Sequence, residues 1–168
     1  MGQVEIFSEG LTLRRLHGIA SEQVASYFGH SVAVADVNGD GKDDILTLTG
    51  TEPYGRFAAA IAPLGDLDHD GCDDVAVGAP FGGAEGRGAV LIFRGHRDGI
   101  GAVPSQRLRC AFPGAAAFGS ALRGGADIDG NGHPDLLVGA YGVSKVAVYR
   151  WVPPWGGRGA VPPRSDGR

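Results

Sequence analysis

One nine-residue acidic pattern occurs three times, as Asp36-Val37-Asn38-Gly39-Asp40-Gly41-Lys42-Asp43-Asp44, as Asp66 to Asp74, and as Asp127 to Asp135. Each copy places a carboxylate or amide oxygen at its first, third, fifth and ninth positions and a glycine at its sixth. Oxygens so spaced converge on one hard cation, and the glycine permits the sharp turn that brings them together. A single Asp/Gly turn is ordinary turn chemistry. Three in phase are not, because clustered carboxylates repel one another without a counter-ion. The pattern also excludes an EF-hand, which closes its coordination with Glu at position twelve between two helices. Here the twelfth residues are Thr47, Val77 and Val138, and the flanks are strand-like.

The expected architecture is therefore a calcium-clamped β-hairpin, used about three times. Its side-chain ligands are Asp36, Asn38, Asp40 and Asp44 in the first loop, Asp66, Asp68, Asp70 and Asp74 in the second, and Asp127, Asp129, Asn131 and Asp135 in the third. Lys42, Cys72 and His133, at position seven, would offer only backbone carbonyls, which leaves their side chains free to differ. Asp43 and Asp73 at position eight are expected to face solvent, and Pro134 stands at that position in the third loop. His69 and His133 are expected to point away from the metal.

The rest of the chain is all-β in character. Its 30 Gly and 10 Pro punctuate short Val/Ile/Leu runs, and no helical periodicity of useful length occurs. Aligning the loops exposes a longer repeat. In the middle copy, Phe57-Ala58 precedes a strand ending at Leu64-Gly65. The loop, the strand Val75-Ala76-Val77, the turn from Gly78-Ala79-Pro80 to Gly88, and the strand Ala89 to Phe93 follow. A fourth strand is expected from the stretch before Phe57. The third copy repeats the plan from Phe118-Gly119, with strands Leu136-Leu137-Val138 and Lys145 to Tyr149 joined by a tight turn at Gly142-Val143-Ser144. The first copy begins at Tyr27-Phe28-Gly29 and runs through a strand over Ser31 to Ala35 into its loop. It is short: from Asp66 to Asp127 is 127 − 66 = 61 residues, but from Asp36 to Asp66 only 66 − 36 = 30. About half a repeat is missing after Ile45-Leu46. Residues 1–7 read as the last strand of a preceding unit, 8–50 as a truncated unit, 51–110 as a complete one, 111–152 as another, and 153–168 as a Pro/Gly/Arg-rich tail without fixed structure.

The net charge of −4, without a basic stripe or interleaved aromatics, argues against nucleic acid. Cys72 and Cys110 leave a disulfide and two free thiols equally open. The first residues do not read as a signal peptide, and no apolar run is long enough to span a bilayer. No nucleophile elbow, HExxH pair or complete GxGxxG is present, so an enzyme is not expected.

Phe28-Gly29, Phe118-Gly119, Gly78-Ala79-Pro80 and the three acidic loops resemble the FG-GAP repeats of integrin α-subunits, over nearly the whole chain up to Arg150. The resemblance implies a partial β-propeller, corresponding to the end of blade four and blades five to seven of a seven-bladed domain. It places the calcium loops on the lower rim, away from ligand. It also implies a cell-surface adhesion receptor that pairs with an integrin β-subunit. Such a receptor binds extracellular matrix or plasma proteins such as fibrinogen through blades not present here. Tyr27, Phe28, Tyr54 and Phe57 are the positions that, by resemblance, would line the cup receiving a basic side chain of the β-subunit. Packing between blades is the competing role for Phe28 and Phe57. Two residues depart from the pattern: Ala58 follows Phe57 where glycine is usual, and Tyr141 stands where the last Gly-Ala-Pro would have proline. The reading is thus a calcium-binding, non-enzymatic fragment of an integrin α-subunit, truncated or alternatively spliced. The alternative is a secreted calcium-stabilised FG-GAP propeller of a phospholipase or lectin type, which would need a catalytic or sugar-binding constellation outside the loops.

Overall fold

Val75 and Val77 face one way and Ala76 the other, yet all three are fully buried. Side chains alternate across a strand, so a strand buried on both faces must lie in a sheet packed between two neighbours. The computed structural model has this arrangement. It describes residues 3–8, 14–20, 31–46, 48 and 54–150. The strands are β1 (Gln3–Ser8), β2 (Arg14–Ala20), β3 (Val34–Ala35), β4 (Asp44–Ile45), β5 (Ala60–Gly65), β6 (Asp74–Ala79), β7 (Ala89–Phe93), β8 (Gly95–His96), β9 (Gly99–Ile100), β10 (Gln106–Arg109), β11 (Phe118–Ala126), β12 (Asp135–Ala140) and β13 (Lys145–Tyr149). The helical turns among the described residues are two short 3-10 segments, Ala84–Gly86 and Tyr141–Val143. No helix among them is long and apolar enough to cross a membrane.

Among the described residues all ladders between strands are antiparallel, and one isolated parallel bridge joins Gly88 to Phe118. The middle unit is a four-stranded sheet in the order β10-β7-β6-β5, and the third unit is three-stranded, β11-β12-β13. The fourth strand of the middle unit therefore comes after the third strand, from Gln106–Arg109, and not from the stretch before Phe57. Physically, the Gly95–Ile100 hairpin folds back on itself and returns the chain to the outer edge of β7. The same step appears at the start of the chain, where β1 pairs with β2 much as β7 pairs with β10. The strand expected over Ser31 to Ala35 is only Val34–Ala35, paired with Asp44–Ile45.

Two cores flank the middle sheet. On one side Ala76, Val90 and Ile92 meet Phe118, Leu136, Val138 and Ala147 of the third sheet. On the other, Val75, Val77 and Phe93 meet Ala35 and Val37 of the first unit, with Phe57 beside them. Fully burying an aliphatic side chain of this size is worth about 1.5–3 kcal/mol, so each seam between units is a principal source of stability.

The glycines of the repeat are the seam. A Cβ on Gly78 would sit 2.0 Å from the carbonyl oxygen of Gly119, and Gly119 itself holds a φ of +88°. The Phe-Gly of one unit thus lies backbone to backbone against the Gly-Ala-Pro of the unit before it, an approach only glycine allows. Phe118 is fully buried and meets Tyr149 edge to face, with ring centroids 6.2 Å apart.

Candidate metal loops

Within each loop the first-position carboxylate organises the turn. In the second loop Asp70 N–H and Gly71 N–H donate to the two oxygens of Asp66, at 3.1 and 2.8 Å, and Cys72 N–H donates to Asp70 Oδ1 at 2.9 Å. The first loop repeats this through Asp40 and Gly41 N–H to Asp36, at 3.0 and 2.8 Å, and Lys42 N–H to Asp40. The third does so through Asn131 and Gly132 N–H to Asp127, at 3.1 and 2.8 Å, and His133 N–H to Asn131. Positions four and six are left-handed in every copy: Gly39 and Gly41, His69 and Gly71, Gly130 and Gly132. The sixth was legible as glycine. The fourth was not, because His69 adopts a φ of +62° there without being glycine.

The donor set fits a hard cation. Carboxylate oxygens of Asp66, Asp68 and Asp70 lie within 4.8 Å of one another, as do those of Asp127, Asp129 and Asp135. A carboxylate oxygen that accepts one N–H keeps a second lone pair, so the turn-forming bonds leave Asp66 and Asp127 able to ligate. Three backbone donors, Gly132 foremost, hold the exposed Asp127 carboxyl below its usual range against an opposing desolvation. Asp127 is thus poised as an anion.

The ninth carboxylates are treated differently. Asp74 and Asp135 are 1% exposed. Leu67 N–H and Gly95 N–H donate to Asp74 at 3.1 Å each, and Ile128 N–H donates to Asp135 at 2.9 Å. Burial pushes Asp74 up to about 6, against the pull of its two donors and with the help of Asp70 and Asp66. Asp74 does not join the trio of Asp66, Asp68 and Asp70, whereas Asp135 joins Asp127 and Asp129. In the first loop Asn38 replaces the third-position carboxylate, and Asp44 keeps one buried oxygen, Oδ2, with no hydrogen-bond partner among the described residues. A buried acceptor without a donor is costly unless a cation meets it.

The loops lie side by side. Asp73 N–H donates to the Asp36 carbonyl at 2.8 Å, and the rings of His69 and His133 lie 5.7 Å apart. The two histidines therefore meet each other across adjacent loops. Asp73 is half-buried rather than solvent-facing, and burial raises its carboxyl above the usual range; Asp43 is exposed as expected. Cys72 is buried, and burial followed by Asp70 pushes its thiol up; Cys110 is partly buried, and both are free thiols.

Sequence reasoning missed two arginines. Arg94 pairs with Asp68, and Arg150 Nε lies 3.5 Å from Asp129. Each follows the third strand of its unit, β7 or β13, in the aromatic-arginine dipeptides Phe93-Arg94 and Tyr149-Arg150, and each reaches the third position of its own loop. The repeated dipeptide was the signal that could have found them. Of the aromatic residues considered for a cup, Tyr54 is 94% exposed, while Phe57 packs edge to face on Phe93 at 6.1 Å. Tyr27 and Phe28 lie outside the described residues, as does the tail.

The FG-GAP repeat family model matches residues 28–55, 57–93 and 118–161. The chain is 48% identical to human integrin alpha-IIb over 191 aligned positions, which cover 91% of this chain and 18% of that protein. It is 50% identical to the mouse integrin alpha-IIb, over 91% of this chain and 18% of the relative. It is 43% identical to integrin alpha-5 of Xenopus laevis, over 90% and 18%. The chain spans about a fifth of the length of these relatives. The 191 positions aligned with the human protein exceed the chain's 168 residues, so at least 191 − 168 = 23 of them have no counterpart here. That agrees with the shortened spacing between the first two loops.

Proposed function

The chain belongs to the FG-GAP repeat family, and from that premise we propose that it is a calcium-stabilised part of an integrin-type α-subunit propeller. The observation that carries this reading is the convergence of carboxylates at corresponding points of two consecutive units, Asp66 with Asp68 and Asp70, and Asp127 with Asp129 and Asp135. The donors are all oxygen, which suits calcium over zinc or copper. Asp36, Asn38, Asp40 and Asp44 would hold a third ion, and the carbonyls of Lys42, Cys72 and His133 would complete the three shells. Calcium supplies charge neutralisation in this role. The chain's residues tie the loop to the strand that follows, so binding couples to folding.

The intact relative would act at the cell surface, paired with a β-subunit and bound to extracellular adhesive proteins. In this chain the first two loops are 30 residues apart against 61 for the next two, so about half a repeat has no counterpart. A stable heterodimer with a β-subunit is therefore not expected from the chain alone. The direct test is thermal unfolding with and without calcium, followed by a β-subunit pull-down. Reversible calcium stabilisation and no stoichiometric complex is the expected result. A chain indifferent to calcium and chelator would remove the metal role, and a one-to-one heterodimer would show that the shortened unit is sufficient for pairing.

A further inference from the structure

The chain carries a net charge of −4, yet one cleft on it is positively charged. An open cavity of about 360 Å³ is lined by Gly83, Glu85, Arg87, Arg107, Arg109 and Cys110, among others. Three arginines and one glutamate are among the lining residues, a formal balance of 3 − 1 = +2. We propose that this cleft binds a tetrahedral oxyanion carried on a ligand, a sulfate or phosphate ester.

The topology explains the clustering. On the edge strand β10, Arg107 pairs with Leu91 and Arg109 with Ala89. Residues two apart share a face, so the two arginines project together while Leu108 turns to the opposite face and joins the core against the third sheet. The opposite wall is the turn from Gly83 to Gly88. It is fixed by Gly86 N–H to Gly83 O at 3.2 Å and Gly88 N–H to Gly82 O at 3.0 Å. Arg87 rises from that turn, paired with Glu85. A Cβ on Gly83 would lie 3.5 Å from Arg107 Nη2, an ordinary contact distance that places the Arg107 guanidinium against this wall. Arg107 and Arg109 are exposed and Arg87 is half-buried.

Planar guanidiniums bind sulfate and phosphate through paired N–H donors, in a way that single ammonium groups do not. A concave wall of one sign also focuses the field on an incoming anion. Glu85 is the one opposing charge on the lining, and it serves as an internal competitor for Arg87. The cleft lies away from the acidic loops in sequence and uses none of their residues.

The test titrates the full chain, held in calcium, with inorganic sulfate, O-phosphoserine and a heparin-derived hexasaccharide. The variants are Arg107→Val, Arg109→Asp, Glu85→Gln, and Arg97→Ala as an exposed arginine outside the cleft lining. The expected result is binding that Arg107→Val and Arg109→Asp each weaken at least about tenfold, that Glu85→Gln strengthens, and that Arg97→Ala leaves unchanged. Preference for the hexasaccharide would assign the ester to a sulfated polysaccharide, and preference for phosphoserine to a phosphate ester. No binding by the wild-type chain, or equal weakening by Arg97→Ala and Arg109→Asp, would overturn the proposal. Because Arg107 and Arg109 sit exposed on an edge strand, unchanged calcium-dependent unfolding should confirm that the variants fold.

Discussion

The first acidic loop and the two later ones share the same turn, yet differ in what surrounds it. All three hold the first-position carboxylate with the N–H groups of positions five and six. The later loops lead into β6 and β12, six-residue strands with partners on both sides, and their ninth carboxylates are buried against backbone donors. The first loop leads into the two-residue strand β4, and its Asp44 keeps an unpartnered buried oxygen. The difference teaches that nine residues are enough to make the turn but not the site. The sheet sets the surroundings of the ninth carboxylate: backbone donors hold it at Asp74 and Asp135, whereas Asp44 beside a two-stranded sheet keeps an oxygen without a donor among the described residues.

The largest expected effect comes from removing the cation. If the later sites bind calcium with a Kd near 10⁻⁴ M, as extracellular modules can, calcium at a hundredfold excess over Kd adds about 2.7 kcal/mol per site. Chelation should then lower the melting temperature by roughly 5–10 °C per site lost, read by circular dichroism. Next come the ninth positions. Asp74→Asn presents an amide to two N–H donors and can accept from only one of them, at a cost of about 1–3 kcal/mol to the fold. Asp44→Asn meets no donor at Oδ2 among the described residues and should cost less, measured by urea unfolding. An equal loss at both positions would erase the distinction between the loops.

Much of this was legible in sequence. The acidic spacing picked out the carboxylates that the loops bring together, and the short apolar runs Val75-Ala76-Val77 and Ala89 to Phe93 marked the strands. The 30-residue interval exposed the shortened unit. The hidden parts depend on distant chain. Gln106–Arg109 contains Gln, Arg, Leu and Arg and carries no apolar alternation beyond Leu108, because an outer edge strand buries little. The divergence of Asp74 from Asp66, Asp68 and Asp70 depends on Gly95, 21 residues away, whose N–H draws the carboxylate toward the sheet. The strain at His69 was invisible because two of three copies have glycine there.

Smaller effects sharpen the comparison further. Arg94 competes with a cation for Asp68, and an exposed ion pair is worth about 0.2–1 kcal/mol. Arg94→Gln should therefore tighten cation binding at the second loop by up to roughly fivefold, read by terbium luminescence. Weaker binding would mean that the arginine orders the loop instead of opposing the ion. The smallest change is His69→Gly. Relief of the left-handed φ, worth about 1–2 kcal/mol, outweighs the entropy lost by glycine, about 0.5–1 kcal/mol. A gain of a few tenths of a kcal/mol or more is expected in denaturant unfolding.

The central claim is that these loops are cation sites graded by their sheets, and calcium calorimetry on the intact chain tests it most directly. The account predicts about three sites, with the two tighter ones lost in Asp66→Asn and Asp127→Asn and the weakest lost in Asp36→Asn. A titration with no calcium-dependent heat, or one in which Asp36→Asn removes the tightest site, would contradict it.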